Sequence, residues 1–405
     1  MKSIIFIDSN KLGSSYEGIK AAKGLGLYTH LLTNKGDFLK QRENFPEVDE
    51  IHTIDLENME AIKEKISQIC SSFFVSAIIS FIDSFVHLAA SMSNQYCKTA
   101  LSLAAIKIME NKILTRKHLH KMDYSPWYLI IKSNENLVDF LHLLEGKFPI
   151  VIKMPKSCGS KDVFFIHSIS QLRHRLRYLR KRYPNEEILI EEYLDGPQYI
   201  VEVIAYKGKI EIAAVIEQAI TNKERFIVTG YCVSPEIDQH LYQTLLDVSN
   251  KIMIDFGLEN GNCHLELRHI NGQWKLIEVN PRISGGVMNT LLMEAYRFNY
   301  AEQIVKVYLG DEPLLSKKHD FSVYAHFIIV GYIGILSKVT GENIALKTPG
   351  VVEVFIKAKD GQLLTPPLAM GHRYGYIIAK ARTKKEAKII ALKAASDIQF
   401  QIIPI

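Results

Sequence analysis

The sequence predicts a mixed chain, α/β over its first hundred residues and α+β beyond them, and three observations carry that expectation. Up to about residue 100, short apolar runs alternate with helical periodicity, the pattern of βαβ units around a parallel sheet. From residue 148 onward, strand-like runs follow one another through the tight-turn pairs Lys207-Gly208 and Asn271-Gly272, which argues for antiparallel hairpins. After Pro313 the pattern changes again, to strands around Gly- and Pro-rich turns and one last helix. The units expected are therefore 1–100, 101–315 with a lobe at about 125–200, and a C-terminal α+β module at 316–405.

The first unit draws strands at 3–8, 29–33 and 77–81. Between the first two, Gly13-Ser14-Ser15 opens a helix carrying Ile19, Ala22 and Leu25, and Gly26 closes it. The loop lacks the spaced glycines of a dinucleotide fingerprint, which argues against an NAD site there. From Ala104 through Met109 and Lys112 to Leu119 the periodicity predicts one amphipathic helix. The run 148–154 is apolar but for Lys153 near its end; a short polar loop follows, then strands at 163–167 and 188–192. Hairpins are expected at 199–206 with 209–215, and at 263–270 with 274–280, with a helix over 242–256 between them. Thr383 and Glu386 have capping-box spacing, so the last helix starts there and is expected to carry Ile389, Ile390 and Ala394 to the core.

Composition narrows the function. The 49 basic and 44 acidic residues leave a formal charge of only +5, without the clustering of a nucleic-acid footprint. The one basic run, Arg173 to Arg182, alternates with Leu172, Leu176 and Leu179 as the solvated face of a helix does. No apolar stretch reaches the length of a membrane span, and the start is too short in apolar residues for a signal sequence, so a cytoplasmic protein is expected. Cys70, Cys97, Cys158, Cys232 and Cys263 are scattered and form no Cys-x-x-Cys pair, as reduced thiols do.

Binding a nucleoside triphosphate requires fixed cations, backbone N–H groups and a divalent metal held by carboxylates. Lys112 lies on an early helix, and an apolar strand delivers Lys153 toward the interior, where an anionic ligand would stabilise an otherwise costly ammonium. The loop 155–162 can cover phosphates. Glu266, Glu278 and the amide of Asn280 are the candidate metal ligands, since Mg²⁺ prefers oxygen donors. Their facing is a matter of parity: a two-residue turn at Asn271-Gly272 would send Glu266 and Glu278 to opposite faces. A three-residue loop, Ile270-Asn271-Gly272 with a left-handed Gly272, would bring His264, Glu266, Glu278 and Asn280 to one face, and the odd loop is the expectation.

The run Leu276-Ile277-Glu278-Val279-Asn280-Pro281-Arg282-Ile283-Ser284-Gly285-Gly286 resembles the metal and substrate signature of the ATP-grasp superfamily, and His264-Leu265-Glu266 resembles the carboxylate strand that precedes it. Ile190-Glu191-Glu192-Tyr193-Leu194-Asp195-Gly196-Pro197 looks like its adenine hinge, and Lys112 and Lys153 fall where its phosphate lysines fall. The resemblance implies an ATP-grasp fold with an N-terminal Rossmann-like parallel-sheet domain, a central antiparallel lid lobe and a C-terminal α+β module. It implies ATP and Mg²⁺, which Mn²⁺ could replace. Backbone groups of Glu191 and Leu194, with Glu192 beside them, would meet adenine; Lys112 and Lys153 would meet phosphates under a loop containing Ser157, Gly159 and Ser160. Gln198 stands where many relatives carry a ribose-binding glutamate, and Asp162 where many carry a second loop glycine; Asp162 is expected to face solvent. Arg282 would receive the substrate carboxylate and its acyl phosphate, with Ser284, Gly285 and Gly286 bringing backbone close.

Within the superfamily the pattern is most like the L-amino-acid ligases and related carboxylate–amine ligases, because of the Asn280 to Gly286 run and a C-terminal part with Thr348-Pro349-Gly350-Val351 and Gly375-Tyr376-Ile377-Ile378-Ala379. The expected activity is amide or peptide bond formation through an acyl phosphate, with release of ADP and phosphate. Lys153 and Arg282 would be the catalytic residues, small-molecule carboxylates and amines the substrates, and a symmetric homodimer the default assembly. Two other readings stay open: a carboxylase type making carboxyphosphate, and an ATP-binding sensor without catalysis. Asp8, Ser9, Asn10 and Ser15 could bind substrate or cap a helix. His326, His372 and Arg373 could reach the substrate or simply supply loop polarity.

Overall fold

The computed structural model describes residues 2–155, 157, 159, 161–222, 226–318 and 321–405, position 222 by its backbone. Four sheets organise them. The first is parallel, in the order Glu50–Thr53, Tyr28–Thr33, Lys2–Ile7, Phe74–Ile79. Its central strand reads as an unbroken apolar run because both faces are covered. Ile4 and Phe6 pack with Ile19 and Ala77 on one face, while Ile5 and Ile7 pack with Ile62, Ile66 and Ile78 on the other. The short edge strand Glu50–Thr53 was not expected, since Glu-Ile-His-Thr carries almost no apolar signal.

A four-stranded antiparallel sheet, ordered Tyr128–Ile131, Ile188–Glu192, Ile150–Lys153, Val163–Ile166, forms a separate lobe. The helix Ile169–Arg182 covers it with Leu172, Leu176 and Leu179 buried, so the basic run is the solvated face that its spacing predicts. The single helix expected over 104–119 is two, Leu103–Met109 and Lys112–His118. Asn111 ends the continuity: its side chain accepts the N–H groups of Ile113 and Leu114 as an N-cap, which restarts the helix with Lys112 at its first position.

The largest sheet is eight-stranded and antiparallel, ordered Gln273–Asn280, Gly261–Ile270, Gln198–Tyr206, Lys209–Asn222, Phe226–Val233, Ser322–Ile328, Gly375–Ala381, Val351–Ile356. The C-terminal strands thus join the sheet that begins near residue 198, through Gly230 opposite His326 and Val233 opposite Val323. The last helix, Lys384–Ser396, is capped by Thr383 accepting from the Glu386 N–H. It buries Ala387, Ala391 and Ala394 against the sheet, and Ile389 is 54% exposed rather than in the core. The i, i+4, i+7 stripe that faces the sheet runs through the alanines, with Ile389 turned away from it. A small sheet of Leu363–Leu364, Gly334–Thr340 and Gln399–Pro404 completes the fold.

Candidate active site

The hairpin Gly261–Ile270/Gln273–Asn280 shows how the carboxylates come together, and it corrects one expectation. Ile270 pairs with Gln273, so the turn is a regular two-residue Asn271-Gly272 with φ of 48° and 81°, both left-handed as a type I′ turn requires. The extra residue lies in the strand instead. The register shifts between Glu266 and Leu267: Leu267 faces Leu276, but Glu266 faces Glu278 and His264 faces Asn280. Ile277 is therefore a bulge. It lets Leu276 and Val279 both reach the core with Cys263, Leu265 and Leu267, while Glu278 and Asn280 turn to the opposite face. Parity is satisfied by the bulge and not by the loop.

Arg116 braces that bulge. It is among the largest fully buried side chains, and one terminal nitrogen donates to the carbonyls of Leu276 (3.0 Å) and Ile277 (2.6 Å). Its Nε pairs with Glu191, which also pairs with Lys153. Burial works against ionisation of Glu191, but Arg116 and Lys153 together hold it below the usual carboxylate range. Burial in turn pulls Lys153 below the ordinary lysine range in spite of Glu191. Lys153 therefore already has an anionic partner. Glu191 lies between Tyr128 and Val151 in the ladder. Glu191 lines the cavity, and its carboxylate is held between Arg116 and Lys153.

These groups line one cavity of about 330 Å³, which Lys112, Lys153, Glu266, Glu278, Asn280 and Arg282 share. Lys112 donates to the Ser157 carbonyl (2.9 Å) and lies 3.2 Å from the Glu278 carboxylate. Glu266 and Glu278 stand directly opposite one another, an arrangement that repels unless a cation lies near. Burial and the Glu278 charge push Glu266 up to about 7. Glu278, despite its burial, is held down to about 2 by Lys112 and Lys153. The His264 Nδ1–H donates to the Arg282 carbonyl (2.9 Å), leaving Nε2 to accept from the Asn280 amide (3.2 Å), which also donates to Glu278 (3.1 Å). With its nitrogen so engaged, Asn280 offers a cation its oxygen. Two opposed carboxylates and an amide oxygen fit a hard divalent ion.

The remaining expected residues are placed less simply. Arg282 does not present an open fork: it grips both carboxylate oxygens of Asp83, at 2.8 Å for Nη2, and its Nη1 donates to the Ile283 carbonyl. Gln198 lines the cavity but bridges Glu266 and Arg268, at 2.9 Å each. The Glu192 carboxylate accepts the Trp127 N–H (2.8 Å), and the Leu194 carbonyl accepts from Arg268. Ser157 and Gly159 line the cavity, with the Gly159 carbonyl accepting the Met370 N–H (3.1 Å); Ser160 and Cys158 lie outside the described residues. Asp162 does not face solvent. It is buried, at a φ of 55°, with its carboxylate accepting from the Tyr183 hydroxyl (2.6 Å), and it is not among the residues that line the cavity. Ser284 donates its N–H to Glu202, and Gly285 and Gly286 also line the cavity.

Asp8, Ser9, Asn10 and Ser15 tie their own loop: Asp8 takes Thr33 and Lys35, and Ser15 accepts the Asn10 N–H. The neighbouring Ser14 instead reaches the site segment, donating its hydroxyl to the Ser284 carbonyl (2.7 Å) and its N–H to Gly286 (3.1 Å). His372 accepts N–H groups of its own turn. Arg373 does enter the cavity, stacked 3.8 Å over Phe327, with Nη1 buried and without a hydrogen-bond partner among the described residues. Sequence reasoning missed Asp83 and Arg116. The spacing of Lys112 and Arg116, one helical turn apart on the same face, was the available signal for the second.

Three segments of the chain match known families. Residues 146–291 match the ATP-grasp domain, residues 19–95 the ATP-grasp N-terminal domain, and residues 326–402 the L-amino acid ligase C-terminal domain 2. The uncharacterized protein y4rH of Sinorhizobium fredii is 24% identical over 416 residues, 100% of this chain and 84% of the relative. Dapdiamide A synthase of Enterobacter agglomerans is 22% identical over 246 residues, 57% of each. The chain thus spans little more than half of that synthase. The solved L-amino acid ligase of Bacillus licheniformis superposes with a TM-score of 0.84 at 18% identity, covering 100% of this chain and 99% of that one. The chain belongs to the ATP-grasp superfamily, and its C-terminal part is of the kind that L-amino acid ligases carry.

Proposed function

We propose that the protein is an ADP-forming carboxylate–amine ligase that activates the carboxylate of an amino acid or other small acid as an acyl phosphate and passes the acyl group to an amine. The observation that supports this most is the bulged hairpin: it gathers Glu266, Glu278 and Asn280 opposite Lys112 and Lys153 in one buried cavity. That combination of oxygen ligands and fixed ammonium groups suits MgATP. The match of residues 326–402 to the L-amino acid ligase C-terminal domain 2, with an L-amino acid ligase and Dapdiamide A synthase among the similar proteins, favours amine over bicarbonate chemistry.

In this reading Glu266, Glu278 and Asn280 would hold Mg²⁺, which would supply neutralisation of phosphate charge. Lys112 and Lys153 bind phosphate oxygens, Lys153 exchanging part of its contact with Glu191. The apolar side chains Val151, Leu194, Ile220 and Phe226 line the same cavity and would flank the adenine. A carboxylate oxygen attacks the γ-phosphorus and the bond to the β-bridging oxygen breaks, ADP leaving with the electron pair. The amine nitrogen then attacks the acyl carbon, phosphate leaves, and the nitrogen gives up a proton. Arg373, with a buried unpartnered nitrogen, and Arg282, fixed by Asp83, are the groups that orient the acid and its acyl phosphate. Catalysis is mainly positioning and charge neutralisation.

Glu278→Gln keeps the shape of the hairpin and removes the charge. It should abolish carboxylate-dependent ADP formation while leaving the circular dichroism spectrum and a cooperative melt intact. Undiminished turnover in that variant overturns the assignment. A screen of amino-acid pairs for phosphate release would identify the acid and the amine.

A further inference from the structure

Far from the cavity sequence segments, at the edge of the parallel sheet, three potential ligand atoms converge across the strands Tyr28–Thr33 and Glu50–Thr53. His30 Nδ1 stands 3.2 Å from His52 Nε2 and 3.5 Å from Glu50 Oε2, and that oxygen is 3.4 Å from His52 Nε2. The two contacts to Glu50, at 3.4 and 3.5 Å, are long for hydrogen bonds, which cluster at about 2.7–3.2 Å, and the 3.2 Å between the two imidazole nitrogens stands at the long end of that range. As coordination edges all three are good. Ligands at about 2.0–2.2 Å from a tetrahedral zinc ion are roughly 3.3–3.5 Å apart. The triangle is thus about the size that a tetrahedral ion requires.

The surroundings hold the atoms in place. His30 is fully buried, its ring edge-on to Phe73 at 4.6 Å and tilted against Tyr28 at 5.2 Å, which fixes Nδ1 toward the other two. The Tyr28 hydroxyl donates to the second Glu50 oxygen (3.0 Å), turning Oε2 inward as an outer-shell partner does. Glu50 and His52 are partly exposed, which provides an entry path and water for a fourth position. His30 Nε2 has no hydrogen-bond partner among the described residues, so one outer-shell support is missing and binding of moderate strength follows.

We propose that His30, Glu50 and His52 form a binding site for a zinc-class divalent cation, separate from the nucleotide cavity, that clips the edge strand Glu50–Thr53 to its neighbour. The donor set of two imidazoles and one carboxylate suits Zn²⁺ or Co²⁺ and is unlike the oxygen set around Glu278. The site stands independently of the ligase reading.

The full-length protein, stripped with chelator and dialysed, is titrated with Co²⁺, whose tetrahedral complexes absorb strongly in the visible. Because the cavity also holds carboxylates and His264, the titration is repeated in a Glu266→Gln/Glu278→Gln background. A band saturating near one equivalent should appear in both proteins. Glu50→Gln and His52→Gln, both at partly exposed positions, should each weaken Co²⁺ binding at least about tenfold. Zn²⁺ should raise the melting temperature of the parent and not of His52→Gln. Absence of the band, its loss in the Glu266/Glu278 background, or its persistence in both Glu50→Gln and His52→Gln overturns the proposal.

Discussion

Replacing Arg116 by methionine is the sharpest test of how the carboxylate hairpin is held. The substitution removes one partner of a buried ion pair, which by itself costs about 3–5 kcal/mol. Lys153 remains beside Glu191, which brings that contribution to the low end of the range. The carbonyls of Leu276 and Ile277 lose their donor at 3.0 and 2.6 Å, and a buried acceptor left without a partner costs about 1–3 kcal/mol. These losses share one side chain and are not additive, so about 4–5 kcal/mol is expected. Arg116→Lys keeps a charge near Glu191 without spanning both carbonyls and should fall between the parent and the methionine variant. Urea unfolding followed by tryptophan fluorescence suits the question, because the chain has 2 tryptophans and both lie near the perturbation. Trp274 is in the bulged strand, and the Trp127 backbone is bonded to Glu192 beside Glu191. Arg116→Met should shift the transition to lower urea and weaken Mg²⁺-dependent ATP binding together. A loss below about 1 kcal/mol, within the range of an exposed pair, would refute the bracing argument.

Other consequences are equally concrete. Burial pushes the Glu202 carboxyl up to about 7 from an ordinary 4.5. The stability it lends is therefore complete below pH 4.5 and lost as pH rises through 7, so Glu202→Gln should match the parent near pH 4.5 and exceed it by up to about 3 kcal/mol at pH 8.5. Equal differences at both pH values would count against it. Gly13 has a φ of 79° and a ψ of −168°, a region essentially reserved for glycine, and a Cβ there would lie 2.9 Å from the Gly286 carbonyl oxygen, so Gly13→Ala should cost about 1–3 kcal/mol in thermal melts and lower ADP formation by disturbing the 284–286 segment. Arg373→Met should raise the acid's KM more than the KM for ATP in initial-rate measurements, if Arg373 orients the acid; an effect on ATP alone would reassign it to the phosphates.

The legible parts of this fold were those with strong periodicity. Ile4 to Ile7, buried on both sides, and the Leu172-Leu176-Leu179 stripe gave their elements away directly. Glu50–Thr53 did not, because an edge strand of four residues has little apolar surface to advertise itself. The hairpin shows a subtler limit. Pattern reasoning recognised that one extra residue had to exist between Glu266 and Glu278, but not that it was Ile277, since an isoleucine in a bulge and one in a regular strand read alike. Arg282 and Lys153 illustrate a third: a charged residue can be traced to a cavity from its local run, whereas the partners that occupy it, Asp83 and Glu191, come from distant segments. Arg116 was hidden for the same reason, its two carbonyl acceptors lying 160 and 161 residues away.

The shared eight-stranded sheet has a consequence for anyone exchanging parts between such enzymes. The strand Phe226–Val233 is bonded directly to Ser322–Ile328, so the C-terminal part is not a bead on a linker. A chimera cut at 310–321 must bring an incoming strand whose residues alternate in phase with Gly230 to Val233. A donor out of phase by one residue would turn its counterparts of Val323 and Ala325 toward the last helix, and its counterpart of Tyr324 away from that helix into the opposite core. Compatibility of a transplanted module is thus decided by parity at one seam, before any substrate contact is considered, and Arg373 reaches the cavity only if that seam is in register.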